Sequence, residues 1–262
     1  MGRQIRVKLN EMLNAWPRGT VATYAFFKRQ NISHQLVAKY LKGGWIKKIA
    51  SGAYRRFDDP KITWQGGVYA LQKHNNLPVH VGGVKALELA GYAHYVSPGG
   101  KSVVWLFGRA GTVLPSWFRK TDWGTRVKFQ TRDIFTAAHN ADFAEKEVEG
   151  HSIRISSPER AILETLASVP QAVSFEHAHH LMEGLLTLRP EPLRDLLRDC
   201  KLIKVKRLFL FLAEHIGLPV LKHINTKGID IGKGFRSIVK PGLLDTKYLI
   251  TVPVAFLTKH EK

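Results

Sequence analysis

The sequence has a single cysteine, Cys200, among its 262 residues. One thiol excludes an internal disulfide and a cysteine-rich zinc site, and it fits a reducing compartment. The sequence also lacks any uninterrupted apolar run near the roughly 20 residues that a membrane-spanning helix needs. Its first residues, Met1 to Arg6, lack the apolar core of a signal peptide. We therefore expect a globular, cytoplasmic protein.

Acidic residues are scarce: 21 Asp and Glu stand against 40 Lys and Arg, which gives a formal net charge of +19. Such a charge indicates polyanionic partners. The excess lies at the two ends of the chain, because residues 1–60 carry 12 basic and 3 acidic side chains and residues 200–262 carry 12 and 4. The residues between them, 61–199, carry 16 and 14. We expect polyanions to bind at the basic ends.

The N-terminal residues predict three short helices. Apolar side chains recur at helical spacing from Ile5 to Leu13, and a second helical stretch spans Ala22 to Gln30. Ser33 is a good N-cap for a third helix, and Gly43-Gly44 ends that helix. Two helices around the turn before Ser33 are the elements of a helix-turn-helix.

The residues after the third helix predict a β-hairpin, or wing. Two strand-like runs, 45–50 and 53–57, flank the turn Ser51-Gly52. In a winged helix-turn-helix the third helix enters the major groove of DNA and the wing contacts the flanking backbone. The candidates for base or near-base contact are Ser33, His34, Gln35 and Lys39. The candidates for phosphate contact are Lys42, Lys47, Lys48, Arg55 and Arg56.

The rest of the chain predicts a larger mixed α/β domain, so that the fold class is α+β. Asp58-Asp59-Pro60 breaks the basic run and predicts a boundary between domains 1–60 and 61–262. Ser157-Pro158 is a typical helix start, and the residues after it have helical spacing. This change indicates that the C-terminal domain is divided near residue 156 into an α/β part and a helical part. The runs with strand character are residues 78–81, 102–107, 111–114, 126–130, 218–221, 235–240 and 248–252.

No residue pattern indicates a catalytic, metal or cofactor site. His177, His179 and His180 are potential metal ligands, but 179 points away from the helix face of the other two, and we find no carboxylate at a confirming spacing. The Gly-rich segment 228–234 lacks the spacing of either phosphate-loop motif and predicts a turn between strands. We expect no catalytic residue, no metal and no cofactor.

A second basic run lies near the C-terminus, at the start of an apolar helix. Its members are Lys201, Lys204, Lys206 and Arg207. Because the helix behind the run is apolar, we expect the helix to be docked on a core with the basic turn displayed. That turn would make a second contact to DNA or to an acidic partner; the alternative is a solvated helix face.

Several fragments, in order, resemble the AbiEi family of antitoxins from type IV toxin–antitoxin and phage-defence systems. The fragments are Gly44-Trp45-Ile46, Gly52 to Arg55, Gly67 to Gln72, Gly82 to Leu89, Ser157 to Ala161, Met182 to Leu185 and Val205 to Leu210. The resemblance implies a winged-helix domain that represses its own operon by binding inverted repeats in double-stranded operator DNA. It also implies a C-terminal domain that counters a co-expressed nucleotidyltransferase toxin. The basic stretch Lys204, Lys206 and Arg207 belongs to the matching fragments.

The sequence therefore predicts a non-enzymatic, sequence-specific DNA-binding antitoxin and autorepressor. One alternative is a nucleic-acid-modifying enzyme such as a metal-dependent nuclease. Asp133, Glu145 and Glu147 are the right residue types for it, but no Pro-Asp pair precedes a Glu-x-Lys on a strand. Another alternative is an inhibitor whose positive charge binds an acidic toxin surface directly.

Overall fold

The computed structural model describes residues 3–92 and 103–257, which form a mixed α and β structure. The chain divides into two compact units. The first comprises Met1–His80, Lys101–Arg132 and Glu145–Arg154, and the second comprises Val81–Gly100, Asp133–Ala144 and Ile155–Lys262. The α+β fold class that the sequence predicts is confirmed.

The first unit begins with a winged helix-turn-helix, as the sequence predicts. Three helices precede a β-hairpin, and the central strand of the small antiparallel sheet is β3. The elements are α1 (Arg3–Asn14), β1 (Ala22–Thr23), α2 (Tyr24–Arg29), α3 (His34–Lys42), β2 (Ile46–Ala50) and β3 (Ala53–Arg56).

Aromatic side chains form much of the core of this domain. The ring of Trp16 lies 5.9 Å from that of Phe26 and 6.1 Å from that of Phe27. Trp16 also donates its indole N–H to the Thr20 carbonyl at 3.2 Å, so its one polar atom is satisfied. Tyr40 from α3 and Ile46 from β2 are buried in the same cluster. This core therefore ties the third helix and the wing to the first two helices.

The turns of the winged helix follow the predicted sequence signals. The Ser33 hydroxyl accepts a hydrogen bond from the Leu36 amide at 3.3 Å and caps α3. After α3 the chain turns at Gly44, and the wing turns at Gly52; both have left-handed backbone, with φ of 74° and 79°. Because side chains rarely tolerate this conformation, glycine is the residue that both turns require.

A helix and a π-helical turn pack on the winged helix. They are α4 (Trp64–Tyr69) and residues Ala70–His74. Gly66 lies so close to the Gly19 carbonyl that a Cβ would sit 1.9 Å from its oxygen. The predicted boundary at residues 58–60 stays a prediction, and this segment is tied to the domain by an ion pair between Arg18 and Asp58 of 2.7 Å.

A five-stranded sheet in the order β6-β5-β4-β8-β7 follows. Strands β5 and β6 run parallel, and so do β4 and β8. The strands are β4 (Val79–Gly82), β5 (Val103–Gly108), β6 (Arg126–Gln130), β7 (Phe143–Val148) and β8 (His151–Ser156). The sequence pattern misses β7 and β8, because their turn places Glu149 at φ 50°, where a glutamate is uncommon. The predicted strand at 111–114 is wrong: a turn at Gly111, with φ of 82°, leads into loop, and α6 (Ser116–Lys120) follows Pro115.

The second unit is mainly helical. Its helices are α5 (Gly83–Leu89), α7 (Pro158–Ala167), α8 (Phe175–Glu183), α9 (Pro190–Asp199) and α10 (Ile203–Ile216). Ser157 caps α7 by accepting the Arg160 amide at 3.4 Å, as predicted. Glu159 is buried in an ion pair of 2.8 Å with Arg189. Burial raises the pKa of Glu159, but the hydrogen bonds from Arg189 outweigh it and hold the pKa below its usual value.

Two of the strands predicted in the last part of the chain are absent from the structure. Residues 219–221 belong to a 3₁₀ helix, Pro219–His223, because proline at its first position favours a helical turn, and Leu218 is the N-cap of that helix. Residues 235–240 contribute only an isolated bridge between Arg236 and Ile250. The predicted strand at the end of 248–252 is present as β10 (Ile250–Val252), paired with β9 (Leu243–Asp245). Among residues 3–92 and 103–257, no helix has the length and apolar character to span a membrane.

Buried His74 makes the stability of the first unit depend on pH. Burial, and then the charge of Arg29, lower its pKa from 6.5 to about 4, although its hydrogen bond of 2.9 Å to the Val21 carbonyl opposes the shift. In the unfolded chain the imidazole takes up a proton near pH 6.5, so the contribution of His74 to stability is fully present above that pH and is lost as the pH drops toward about 4. The loss is on the order of 3 kcal/mol.

We expect His74→Gln to remove most of this pH dependence, because glutamine can keep a donor near the Val21 carbonyl without titrating. Urea unfolding of both proteins at about pH 7 and about pH 4.5 measures it. Equal losses of stability in the two proteins would show that His74 is not the group responsible.

Candidate nucleic-acid interface

Helix α3 has one apolar and one polar side. Val37 and Tyr40 are buried against the core. His34, Gln35 and Lys39 are exposed on the other side, in register with Ala38 and Lys42 one turn further on. The structure therefore brings four of the sequence-predicted contact residues, His34, Gln35, Lys39 and Lys42, onto one exposed helix face. Ser33 is the exception, because its hydroxyl caps the helix.

The position of His34 is set by a stacked aromatic pair. Its ring lies parallel to that of Tyr24, with 3.6 Å between centroids and 12° between planes. Tyr24 is the first residue of α2 and His34 is the first residue of α3. No spacing signal in the sequence indicates this contact. The pair fixes the two helix starts beside each other.

The wing carries exposed lysines. Lys47 and Lys48 lie on β2, and both are exposed. Lys47 stands directly opposite Arg55 in the β2–β3 register. Like charges in directly opposed positions destabilise an antiparallel pair.

The two arginines of the wing are half-buried and make internal hydrogen bonds. The Arg55 guanidinium donates to the carbonyls of Asp59 and Pro60. That of Arg56 donates to the carbonyl of Leu13 at the end of α1. Both side chains therefore help to hold the wing in place. Their predicted role as phosphate contacts stays a prediction, and Lys47 and Lys48 are the better positions at which to test the wing.

The excess positive charge belongs to the first unit. Residues Met1–His80, Lys101–Arg132 and Glu145–Arg154 contain 23 Lys and Arg against 7 Asp and Glu. The second unit contains 17 and 14. Residues 61–199 have nearly balanced charge when they are counted together. Within them, however, segment 101–132 is basic, with seven basic residues and one acidic residue. The charge is thus concentrated in the unit that contains the winged helix.

The sequence predicts that the second basic patch is exposed, but two of its four cations are buried. Arg207 is 0% exposed and Lys206 is 4% exposed. Lys204 is half-buried and donates to the Ala167 carbonyl at 3.2 Å, and it also contacts the Val169 carbonyl. Lys201 is exposed. The start of α10 therefore does not display the basic turn that the sequence predicts, because most of its cations make hydrogen bonds inside the protein.

Arg207 is the centre of a carbonyl cage. Its guanidinium donates to the backbone carbonyls of Ile231, Gly232, Gly234 and Leu249, with distances from 2.5 to 3.2 Å. Lys206 donates to the neighbouring Asp230 carbonyl at 2.9 Å. The Gly-rich segment is thus folded around two cations of α10. It is neither a phosphate loop nor the turn between two regular strands that the sequence predicts.

We expect Arg207→Met to destabilise the second unit by about 3 kcal/mol or more, because the buried carbonyls lose charge-assisted hydrogen bonds. Chemical unfolding followed by circular dichroism measures the loss. The control is Lys201→Met, which removes an exposed cation from the same run and should change stability by less than about 0.5 kcal/mol. Similar effects of the two variants would contradict the cage.

A group of potential metal ligands lies at the end of α8. The ligand atoms of His179, His180 and Glu183 are all within 4.8 Å of one another. His180 is 3.0 Å and His179 is 3.8 Å from the Glu183 carboxylate. His177 is not part of the group. The expectation that no carboxylate lies at a metal-ligand spacing from these histidines is wrong. Glu183 is four residues after His179 and lies beside it. The absence of a metal stays a prediction.

Glu145, one of the carboxylates considered for a nuclease, makes two ion pairs. Glu145 lies 3.5 Å from the Lys73 ammonium and 3.7 Å from the Arg154 guanidinium. It also accepts the Ser152 hydroxyl at 3.1 Å. These contacts explain Glu145 as part of a surface network between β7, β8 and the π-helical turn.

The described residues thus define a winged helix-turn-helix protein with a helical second unit. Family comparison is more specific. Residues 5–98 match the family described as transcriptional regulator, AbiEi antitoxin N-terminal domain, and residues 101–253 match transcriptional regulator, AbiEi antitoxin, type IV TA system. The chain belongs to the AbiEi antitoxin family.

A solved structure shares the fold. The crystal structure of the RV2827C protein from Mycobacterium tuberculosis is 12% identical in sequence, with a TM-score of 0.59. The match covers 94% of this chain and 89% of that one. No curated protein matches the sequence. The identification rests on the family match, and the solved structure supports the fold alone.

Proposed function

We propose that the protein is a non-enzymatic autorepressor that binds inverted repeats in its own operator DNA. In this function α3 enters the major groove, where His34, Gln35 and Lys39 contact base edges. Lys42 at the end of α3 and Lys47 and Lys48 on the wing contact phosphates. Membership of a family of transcriptional regulators supports this function.

The observation that carries the proposal is the exposed polar side of α3 beside a lysine-bearing wing. An α-helix fits the major groove of B-form DNA, and its exposed amide and imidazole groups are suited to hydrogen bonds with base edges. The charge of the first unit would attract the phosphate backbone over a longer range.

The second half of the proposed function is neutralisation of a co-expressed nucleotidyltransferase toxin by the region after the winged helix. Family membership supports the antitoxin function. The second unit is nearly balanced in charge and is built around buried ion pairs and the carbonyl cage of Arg207. We therefore assign DNA binding to the first unit and expect antitoxin activity not to depend on the wing lysines.

Replacing Lys47 and Lys48 by alanine tests the DNA-binding half. We expect the double variant to bind the operator about tenfold more weakly or worse, because two phosphate contacts are lost. The slope of log affinity against log salt should become shallower by about 2. Gel shifts or fluorescence anisotropy at several salt concentrations measure both effects.

The matched control for this test is Lys222→Ala with Lys227→Ala. It removes two exposed lysines from the second unit and leaves the same net charge as the wing variant. Its affinity and salt dependence should stay close to those of the unmodified protein. If both double variants weaken binding to the same extent, net charge rather than the wing is responsible.

Antitoxin activity can be measured with the same two proteins. Each is expressed from an unrelated promoter in cells that produce the toxin, so that repression plays no part in the result. We expect the Lys47 and Lys48 variant to restore growth as well as the unmodified protein does. Loss of protection in that variant alone would show that antitoxin activity requires the wing.

A further inference from the structure

A cleft of about 610 Å³ lies in the first unit beside the edge strand β6. Alternate residues of one strand face form one wall: Thr125, Val127, Phe129 and Thr131. The loop at residues 112–114 forms another part of the lining. The volume is in the range of about 300–1,000 Å³ that small-molecule sites occupy.

The rest of the lining combines aromatic groups with one cation. Phe118 on α6 and Trp123 after it line the cleft, and both are buried. The indole N–H of Trp123 donates to the Phe118 carbonyl at 2.9 Å, which fixes the ring. Arg119 is exposed and also lines the cleft. The site thus has apolar surface, threonine hydroxyls and a single guanidinium.

The charges around the cleft favour an anion. Residues 103–132 contain six basic side chains and one acidic side chain, Asp122. The Asp122 carboxylate is paired with Lys61 at 3.2 Å. Within residues 3–92 and 103–257, Arg119 has no carboxylate partner. The guanidinium in the lining of this mixed polar and apolar cleft is therefore available to an anionic ligand, and a guanidinium forms bidentate hydrogen bonds with phosphate.

We propose that this cleft binds a mononucleotide, with the base against the half-buried side chains of Val127 and Phe129 and the phosphate on Arg119. The ligand class follows from the lining. Apolar and aromatic surface binds a planar base, hydroxyls donate to or accept from the base edges and the ribose, and the guanidinium binds the phosphate. This site lies outside α3 and the wing, and its occupation does not require operator binding.

Isothermal titration of the full chain with AMP, GMP, CMP and UMP tests the proposal. At least one nucleotide should bind with 1:1 stoichiometry, and ribose 5-phosphate, which lacks the base, should bind about tenfold more weakly or worse. Arg119→Ala should weaken nucleotide binding by about tenfold or more. The matched control is Lys120→Ala, since Lys120 is the exposed neighbour on α6 that does not line the cleft; its affinity should stay within about twofold.

A second variant addresses the mouth of the cleft. Val113 is 72% exposed and lines the cleft, so Val113→Asp adds a carboxylate there without removing a core side chain. It should also lower affinity about tenfold. The proposal is overturned if none of the four nucleotides binds, if ribose 5-phosphate binds equally well, or if Arg119→Ala and Lys120→Ala have the same effect. Operator gel shifts with these proteins measure the DNA-binding function separately.

Discussion

The packing of α3 on an aromatic core is the constraint on which the proposed DNA contact depends. Tyr40 and Val37 are buried against the cluster that contains Trp16 and Phe27. Because a helix has only one side toward its core, burial of these residues fixes which side of α3 is exposed. That side carries His34, the residue that stacks on Tyr24. The same hydrophobic contacts that stabilise the domain therefore orient its polar helix face.

Positive charge has different uses in the two units. Lysines 47 and 48 of the wing are exposed, whereas Lys206 and Arg207 of α10 donate hydrogen bonds to backbone carbonyls inside the second unit. A buried guanidinium is stable only when its donors are satisfied, and the Gly-rich segment supplies the acceptors. Charge counted along a sequence gives both kinds of cation equal weight. Only the first kind is available to a polyanionic partner.

The sequence predicts the winged helix well because its signals are local. Ser33 marks a helix start, and Gly44 and Gly52 occur where left-handed turns are needed. The predictions fail where long-range contacts decide. Arg207 lies near the start of an apolar helix, and nothing in its sequence neighbourhood indicates that carbonyls from residues 231 to 249 surround it. The cleft beside β6 likewise joins a strand, a loop and α6, which sequence order alone does not place together.

Directed cleavage of operator DNA from α3 tests the central claim most directly. Cys200 is 2% exposed, so a cysteine introduced by Gln35→Cys is the accessible site for an iron chelate that cuts DNA nearby. The protein treated with the reagent but lacking the new cysteine is the control. The account predicts cuts confined to each inverted repeat, at positions that flank one major groove. Bound protein that cuts evenly along the duplex, or only outside the repeats, would contradict it.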